Sequence, residues 1–391
     1  MLWMPCSALV IDMTSLTARQ DALLRGAAQW RDRNSAVRVA AREAFRNGEW
    51  PPEVVEAALE AVLRDADEQL TAWQSPEAEL TVLAILPGNV IGPTIATAYC
   101  AAAAGSKLML KSSSRELQLA DILAAQFEQL GPPVAGTMRP MRWSGGDVDF
   151  EAKVFPLAQR IVVFGDDATI EDVKRRAPEG AVKGYGSAFS VGFVPSGSDV
   201  AAATHAAASD VALFDQRGCL SPQTIYVEGS EAQAILFAHG LSTSLSKLGA
   251  SLPRARAGQA ERAAVAEFIR RLHLRALPPA THALGTIFIG PNTDGVAEFV
   301  VGTEPFSSPV CPAFGRLVIV KPCRDAMQAA DAAKTLGPKL DSVGVAGRVT
   351  PSLQLVFTQA GALRVCPLGE MQRPPFGYRP RIADFADVRV Q

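Results

Sequence analysis

The N-terminal part of the chain follows a helical pattern of apolar and charged positions. From Asp21 to about Trp73, Ala, Leu and Val recur among charged residues at spacings typical of amphipathic helices. Residues 47–53 (NGEWPPE) interrupt this pattern with a turn, after which proline starts a second helix. The pattern therefore predicts an N-terminal helical region.

The pattern then changes to short apolar runs that alternate with helices. Residues 80–89 (LTVLAILPGN) predict a buried strand that ends in a Pro-Gly turn, and an alanine-rich helix follows and ends at Gly105. The next run, KLMLK, predicts a second strand. A strand, a helix and a strand in this order indicate a β-α-β unit of a doubly wound parallel sheet.

The same alternation continues and divides the chain into segments. Strand, turn and helix recur over residues 160–176, and residues 182–194 return the chain to a strand. After PSGSD a second α/β sequence begins, and residues 353–365 are expected to form a final hairpin. We expect one domain over residues 1–194, a second over 195–350 and a C-terminal segment over 351–391. The second domain should contain helices over 200–213, 231–248 and 257–275, a strand after Cys219, and strands in GTIFIG and RLVIVKP.

Composition narrows the class of protein. Apolar residues make up 48% of the chain and charged residues 20%, as in ordinary soluble α/β enzymes. A net charge of −2 gives no electrostatic basis for binding nucleic acid. No window is apolar for long enough to span a membrane. The first residues lack the basic start of a signal peptide, so we expect a cytoplasmic protein.

Cysteine and histidine spacing argues against a metal site and against a disulfide framework. No C-x-x-C pair is present, and the four histidines show no metal-binding spacing. We expect a reducing compartment and no bound metal. The six cysteines are Cys6, Cys100, Cys219, Cys311, Cys323 and Cys366.

Polar residues at the ends of predicted strands are candidates for ligand binding. Lys111-Ser112-Ser113-Ser114 follows the second strand, where a ribose or phosphate binds in doubly wound sheets, although a solvated strand end explains it equally well. Gly184-Tyr185-Gly186 lacks the third glycine of a dinucleotide fingerprint, so a tight turn is the better interpretation.

Three single residues could take part in catalysis. Cys219 lies in a polar turn before a β-branched strand, a position from which a thiol nucleophile can be presented. Asn89 follows the first strand and could donate to an oxyanion, or could simply serve the turn. Glu304 precedes an aromatic residue and a Ser-Ser-Pro turn, and taken alone is a solvated glutamate.

Taken in chain order, these features resemble the aldehyde dehydrogenase superfamily over about residues 80–325. The motifs that carry this resemblance are Pro87-Gly88-Asn89, Lys111, Phe164-Gly165, Tyr185-Gly186, Gly218-Cys219 and the hexapeptide EPFSSP that starts at Glu304. The chain is most similar to the fatty acyl-CoA reductases of the bacterial bioluminescence type. That likeness rests on WSGGD, FGDDATIEDV, GYGSAFSVGFV, DVALFDQRGCLSPQTIYVEG and GALRVCPLGEMQRPP. The terminal FGYRPRIADFADV departs from the family, which is usually richer there in Trp and His-Asp-Gly.

The resemblance implies an aldehyde dehydrogenase-like fold with two doubly wound domains, one for a nicotinamide cofactor and one for catalysis. It implies that Cys219 attacks a thioester, that Arg217 and the turn amides lower the thiol pKa, and that Asn89 helps to hold the oxyanion. The cofactor-binding residues that it implies are Lys111, Ser113, Ser114, Gly165, Glu304 and Phe306.

The resemblance also implies a reaction and its direction. Hydrolytic aldehyde dehydrogenases carry a water-activating glutamate at a position that falls near Lys183 or Gly184 here, which favours reduction of an acyl-CoA to an aldehyde. Ser114 followed by Arg115 favours NADPH, with NADH as the alternative cofactor. The competing interpretations are an NAD(P)-dependent aldehyde dehydrogenase that forms the acid, and a catalytically silent homologue that acts as a binding partner.

The expected partners follow from the same resemblance. They are an acyl-CoA or acyl-carrier substrate, an acyl-transferring partner enzyme and further copies of this chain in a homo-oligomer. We expect no nucleic acid and no membrane span.

Overall fold

The computed structural model describes residues 13–46, 48–73, 80–113, 115, 118–275, 284–308 and 314–386. Its contacts divide the chain into two compact units. Unit 1 comprises Met1–Arg46, Ala58–Gly186 and Pro375–Gln391, and unit 2 comprises Asn47–Ala57 and Ser187–Pro374.

Unit 1 contains an N-terminal group of helices and a strand-helix alternation, as the hydrophobic pattern predicts. The helices before the first strand are α1 (Met13–Arg31), α2 (Ala36–Phe45), α3 (Pro52–Ala61, whose first turns belong to unit 2) and α4 (Ala66–Ala72). The elements that follow are β1 (Thr81–Ile85), α5 (Gly92–Ala104), β2 (Lys107–Lys111), α6 (Leu119–Leu130), β3 (Met138–Met141), α7 (Val148–Val154), β4 (Arg160–Phe164), α8 (Asp167–Arg176) and β5 (Val182–Tyr185).

The sheet of unit 1 is parallel and has the strand order β3-β2-β1-β4-β5. The helix between β1 and β2 ends where expected, because Gly105 adopts a left-handed conformation (φ 77°) that glycine tolerates best. In a sheet with this order, ligands bind at the carboxyl ends of the strands, beside the point where the winding direction reverses between β1 and β4. Asn89 and Gly165 follow these two strands.

Unit 2 contains a larger sheet, and β9 and β10 pair separately as a two-stranded sheet. The elements of unit 2 are β6 (Phe189–Val194), α9 (Val200–Ala212), β7 (Pro222–Glu228), α10 (Glu231–Leu248), α11 (Gln259–Arg275), β8 (Ile287–Ile289), β9 (Asn292–Thr293), β10 (Val296–Ala297), β11 (Val300–Thr303), β12 (Leu317–Cys323), α12 (Ala326–Lys334), β13 (Leu340–Val345), α13 (Pro351–Gln359) and β14 (Arg364–Pro367). The strand order is β14-β13-β6-β7-β12-β11-β8, and only β8 pairs antiparallel within it.

Helices cover both faces of this sheet. Small and aliphatic residues of α9 and α10 pack on one face, around Ile225 and Phe237. On the other face α12 and α13 pack through alanines and Phe357. The result is the three-layer arrangement expected of a doubly wound domain, and its central strands β13, β6, β7 and β12 are buried on both sides.

Two sequence-based predictions were wrong at the level of elements. Residues 182–194 form two strands, β5 in unit 1 and β6 in unit 2, so the chain passes between the units at Gly186 and not after Val194. Residues 353–365 are not a hairpin. They hold most of α13, which starts because Thr350 caps the N–H of Leu353 and Pro351 takes the first helical position, followed by the beginning of β14.

The C-terminal segment is also divided between the units, which corrects the predicted single segment over 351–391. Helix α13 and β14 belong to unit 2, whereas Pro375–Gln391 belongs to unit 1. Within unit 1, the guanidinium of Arg160 donates to the carbonyls of Asp384 (3.0 Å) and Ala386 (2.8 Å), and Ser106 Oγ donates to the carbonyl of Phe385. The tail is therefore tied to β4 and to the residue directly before β2.

Candidate active site

The chain reaches Cys219 through a turn of unusual backbone conformation. Phe214, Asp215 and Gln216 are three consecutive non-glycine residues with positive φ, at 61°, 50° and 56°. Each such residue costs about 1–3 kcal/mol and persists only where the surrounding structure holds it. The turn between α9 and β7 must therefore be fixed by strong contacts.

A buried ion pair supplies part of this fixation. Arg316 Nε lies 2.6 Å from Asp215 Oδ1, and both side chains are 1% exposed. The same guanidinium donates to the carbonyls of Ala212 (3.2 Å) and Leu252 (2.8 Å), while the N–H of Ala255 donates to Asp215 Oδ2 at 2.9 Å. Because both charges are paired and hydrogen-bonded, the pair is compatible with its burial.

The next residue of the turn is held as firmly. The Gln216 side-chain amide donates to the carbonyls of Pro222 and Leu317, each at 2.9 Å, and its oxygen accepts the N–H of Leu317 at 2.5 Å. This side chain is fully buried and links the start of β7 to the start of β12. The position of Cys219 is thus set by contacts with two strands.

Cys219 differs from the other described cysteines in exposure. Its side chain is half-buried, whereas Cys100, Cys323 and Cys366 are buried. Burial raises the pKa of Cys323 and of Cys366 to about 12 and raises that of Cys100 as well. The thiolate is the nucleophilic form, so a raised pKa lowers the reactivity of these three thiols. Cys219 is therefore the reactive candidate among the described cysteines.

Buried polar groups of neighbouring strands surround Cys219. Ser190 Oγ on β6 donates to the Cys219 carbonyl at 2.7 Å, and the Cys219 thiol lies 3.8 Å from Asp341 Oδ2 on β13. Ser190 and Asp341 are both fully buried. Neither residue was among the sequence-based candidates, because they reach the cysteine only through the pairing of β13 with β6 and of β6 with the start of β7.

Arg217, two residues before Cys219, is engaged by two carboxylates and an aromatic ring. Its guanidinium pairs with Glu49 (3.1 Å) and Glu261 (2.9 Å) and lies 4.9 Å from the centre of the Trp50 ring. Two carboxylates therefore compensate its charge. The structure indicates that Arg217 anchors the turn before Cys219.

The predicted cofactor residues of unit 2 lie near the carboxyl end of β11. Thr303, directly before Glu304, is in register with Val320 on β12, and the Glu304 N–H donates to the Val320 carbonyl at 3.1 Å. Glu304 is only 2% exposed, and the half-buried Phe306 ring lies 6.0 Å from that of Tyr226. Cys219 instead precedes the amino end of β7.

In unit 1 the structure brings the turn after β1 close to the residues after β2. A Cβ atom at Gly88 would lie 2.1 Å from Ser113 Oγ, so only glycine allows this approach. Asn89 follows in the same turn and is half-buried, as is Lys111. Ser114, also predicted as a cofactor residue, lies outside the described residues.

The aromatic ring of Trp143 lies beside Lys111, and Trp143 is not among the site residues predicted from the sequence. Lys111 Nζ lies 5.4 Å from the centre of the Trp143 ring, just beyond the carboxyl end of β3, and burial lowers the pKa of Lys111. The Trp143 Nε1 donates to Glu151 Oε1 at 2.8 Å, which fixes the ring. The WSGGD stretch was the available signal. A planar ring and a cation at the ends of adjacent strands fit a nucleotide base and its ribose phosphate.

The turn after β4 is closely packed. A Cβ atom at Gly165 would lie 3.2 Å from the Thr169 side chain, and Asp166 caps α8 by accepting the Thr169 N–H at 2.7 Å. The side-chain hydrogen bond with Thr169 lowers the pKa of Asp166. The cap means that a carboxylate already occupies the N-terminus of α8.

At one of the two positions expected to lack a water-activating glutamate, a side chain has little room. Lys183 and Gly184 lie on β5, and a Cβ atom at Gly184 would lie 2.6 Å from Ile170. Lys183 is exposed. Neither residue supplies an acid, and a side chain at Gly184 would have to displace that of Ile170 on α8.

The described residues contain no group of three or more His, Cys, Asp or Glu side chains placed to hold a metal ion. Within the same part of the chain, no helix combines the length and apolarity required to cross a membrane.

Comparison with solved structures defines the class of fold. The chain is similar to an NAD-dependent benzaldehyde dehydrogenase from Corynebacterium glutamicum, with a TM-score of 0.73 at 17% identity over 93% of this chain and 84% of that one. It is also similar to aldehyde dehydrogenase C from Pseudomonas syringae, solved with NAD+ and octanal, with a TM-score of 0.70 at 16% identity over 91% and 78% of the two chains. The protein therefore has the aldehyde dehydrogenase fold, as the resemblance implied.

The sequence profile of one family covers most of the chain. Residues 47–379 match the family described as acyl-CoA reductase (LuxC), and the chain belongs to it. This confirms the family inferred from the motifs around Cys219.

Curated relatives match shorter stretches. A long-chain acyl-protein thioester reductase from Photorhabdus luminescens is 29% identical over 150 residues, which are 37% of this chain and 31% of that protein. One from Photorhabdus laumondii is 28% identical over 184 residues, or 46% and 38% of the two chains. The match thus spans about a third of the length of these relatives.

Proposed function

We propose that the protein reduces the acyl group of a long-chain thioester to an aldehyde, with Cys219 as the residue that carries the acyl group. The observation that carries this proposal is the presentation of Cys219. Its thiol is the half-exposed one among the described cysteines, and it lies at the end of a turn that buried contacts hold rigid. Family membership and the names of the curated relatives support the same reaction.

The chemistry follows from a thiol in this position. The Cys219 sulfur bonds to the carbonyl carbon of the substrate, and the bond from that carbon to the leaving thiol breaks, so that the acyl group becomes a thioester of Cys219. A nicotinamide cofactor, when bound, supplies the hydride that reduces this thioester. The aldehyde leaves as its bond to sulfur breaks, and the Cys219 sulfur then takes up a proton.

The oxyanion that forms at each of these steps requires hydrogen-bond donors. We assign this role to the side-chain N–H of Asn89 and the backbone N–H of Cys219, on the basis of the family motif. Asn89 lies in the turn whose Gly88 packs against Ser113, so that its position depends on residues after both β1 and β2. Asn89 is half-buried there.

The cofactor we propose is NADPH. Lys111 beside Trp143 offers a cation and a ring at the carboxyl ends of β2 and β3, and Ser113, Ser114 and Arg115 follow with donors suited to a phosphate. No carboxylate stands at position 114 to repel that phosphate. NADH remains the alternative.

Three further residues complete the proposed cofactor site. Gly165 gives close backbone approach at the end of β4, and Phe306 and Glu304 would contact the nicotinamide and its ribose. Because Glu304 is only 2% exposed, a ribose can contact it only after the side chains that cover it have moved.

The acyl donor we propose is a long-chain thioester of coenzyme A or of a carrier protein. A carrier-bound donor would come from an acyl-transferring partner enzyme, and the names of the relatives favour an acyl-protein. We further propose that the protein acts in the cytoplasm as a homo-oligomer.

The test is covalent labelling by the substrate alone. Protein mixed with a long-chain acyl-CoA, without cofactor, should gain one acyl group on the peptide that contains Cys219. Cys219→Ser should gain no stable thioester, whereas the matched control Cys366→Ser should be labelled like the wild type, because Cys366 is 6% exposed with a raised pKa. Peptide mass spectrometry gives the site, and labelling of any other cysteine would contradict the assignment.

A further inference from the structure

Two irregularities in strand pairing meet at Ser190. On one side β13 inserts an extra residue, since Leu340 pairs with Phe189 and Val343 with Val191, which leaves Asp341 and Ser342 opposite Ser190 alone. Such bulges redirect side chains and occur often beside active sites.

The second irregularity lies between β6 and β7. Ser190 pairs with Pro222 and Val191 pairs with Thr224, so Gln223 is the extra residue on β7. Both interruptions thus occur at the level of the strand end that follows Cys219. Strands β7 and β13 thus each carry an extra residue opposite Ser190 of β6, next to the strand end that follows Cys219.

Hydrogen bonds around the bulge on β13 place the Asp341 carboxylate beside Cys219. The Ser342 N–H donates to Ser190 Oγ at 3.2 Å, which in turn donates to the Cys219 carbonyl, and Ser342 Oγ donates to Asp341 Oδ1 at 3.0 Å. These bonds leave Asp341 Oδ2 beside the Cys219 sulfur, at 3.8 Å. The distance is suited to acceptance of an S–H proton by a carboxylate oxygen.

We propose that Asp341 is the proton acceptor for Cys219 during acyl transfer, a role that rests on the proposed function. In the resting protein its Oδ2 accepts the S–H of Cys219, so that a negative charge on the sulfur would lie beside the Asp341 carboxylate. When an acyl thioester arrives, the same oxygen removes the proton as sulfur attacks.

The step balances without any further reactant. The proton passes from Sγ to Asp341 Oδ2 as the bond from Sγ to the carbonyl carbon forms. The bond from that carbon to the leaving thiol then breaks, and the leaving sulfur takes the proton from Asp341. The sum is thiol plus acyl thioester giving acylated Cys219 plus free thiol, with nothing oxidised or reduced.

Other charged groups near this end of the sheet have partners of their own. Asp210 on α9 accepts the N–H groups of Gly369 and Met371, and Arg364 on β14 donates to the carbonyls of Met371 (2.9 Å) and Glu370 (2.7 Å). Cys366 is buried, with a pKa raised chiefly by that burial.

The charges on the turn itself are likewise engaged. Arg217 pairs with Glu49 and Glu261, and Asp215 pairs with Arg316. Among the described contacts, the carboxylate that touches the Cys219 sulfur is that of Asp341.

The test compares the pH dependence of two reactions of Cys219 in the wild type and in Asp341→Asn. The first is alkylation by iodoacetamide, which needs no substrate and reports thiolate formation. Removing the carboxylate should move the midpoint of this reaction to lower pH, by about one unit or more. Equal midpoints, or a midpoint that moves to higher pH, would overturn the proposal.

The second reaction is acylation by a long-chain acyl-CoA without cofactor. Near pH 6 the variant should be slower by about 10²-fold, and the difference should close as the pH rises past the thiol pKa, since a thiolate needs no acceptor. A loss of the same size at every pH would indicate simple structural damage and would refute the role.

Two further outcomes remain decisive. If the variant does not fold, the wild-type profile alone decides, because acylation should be nearly flat from pH 6 to 8 if Asp341 takes the proton and should rise tenfold per pH unit if it does not. If neither protein is acylated at any pH, the proposed function fails, and the alkylation midpoints still show whether Asp341 holds the thiol proton.

Discussion

At the scale of single residues, the candidate nucleophile could be found from the sequence, but its neighbours could not. Cys219 stands in a polar turn before a strong strand, and the structure confirms that turn and the exposure of the thiol. Asp341 lies 122 positions away in the chain and reaches the thiol only through a bulge. No local pattern signals such a contact, since it depends on the register of three strands.

The buried carboxyl group of Asp210 makes the free energy of unfolding depend on pH. Burial raises the pKa of Asp210 to about 7, although the N–H groups of Gly369, Met371 and Gln372 oppose this shift. The folded protein therefore holds a proton between about pH 4 and 7 that the unfolded chain releases. It follows that the contribution of Asp210 to stability falls as the pH rises through this range.

Asp210→Asn should remove this dependence. Urea unfolding of the wild type and the variant at pH 5 and pH 7.5 should show the variant gaining stability relative to the wild type at the higher pH, where the wild-type carboxylate is charged. As a control, Asp172→Asn changes a half-exposed carboxylate on α8 and should show no comparable trend. A wild-type-to-variant difference that is the same at both pH values would contradict the assignment.

At the scale of elements, local signals predicted helices well and failed where the apolar pattern was ambiguous. Helix α10 begins at the expected residue because Ser230 and Gln233 form a capping box. The apolar residues 353–365 are expected to form a hairpin. Most of them instead belong to a helix, because Thr350 caps its N-terminus and Pro351 takes its first position. The left-handed turn before Cys219 carries no glycine at its three strained positions, so the sequence did not reveal it.

That turn should depend on the buried pair between Arg316 and Asp215. Arg316→Leu leaves a buried carboxylate without its partner and should lower the free energy of unfolding by about 3–5 kcal/mol. The matched control is Arg270→Leu, which breaks an exposed pair with Glu267 and should cost much less, because water screens that pair. Urea unfolding followed by circular dichroism measures both, and similar losses in the two variants would show that the buried pair does not hold the turn.

At the scale of the whole molecule, the order of motifs along the chain predicted the fold and the family, and both are confirmed. The boundary between the units was placed too late, because residues 187–194 were not separated from the strand before them. The cofactor and the direction of reaction rest on side chains that are absent, namely a glutamate near Lys183 and one at position 114. Both the cofactor and the direction of reaction must therefore be tested by measuring the reaction itself.

The most direct test of the central claim follows the fate of an acyl group on Cys219. The protein is loaded with a long-chain acyl-CoA, freed of excess substrate and divided between buffer alone and buffer with NADPH. Intact mass and product analysis should show an acyl group that persists in buffer, and that is lost on addition of NADPH with one aldehyde formed and one NADPH consumed. Loss of the acyl group as free acid at the same rate with and without NADPH would contradict the account.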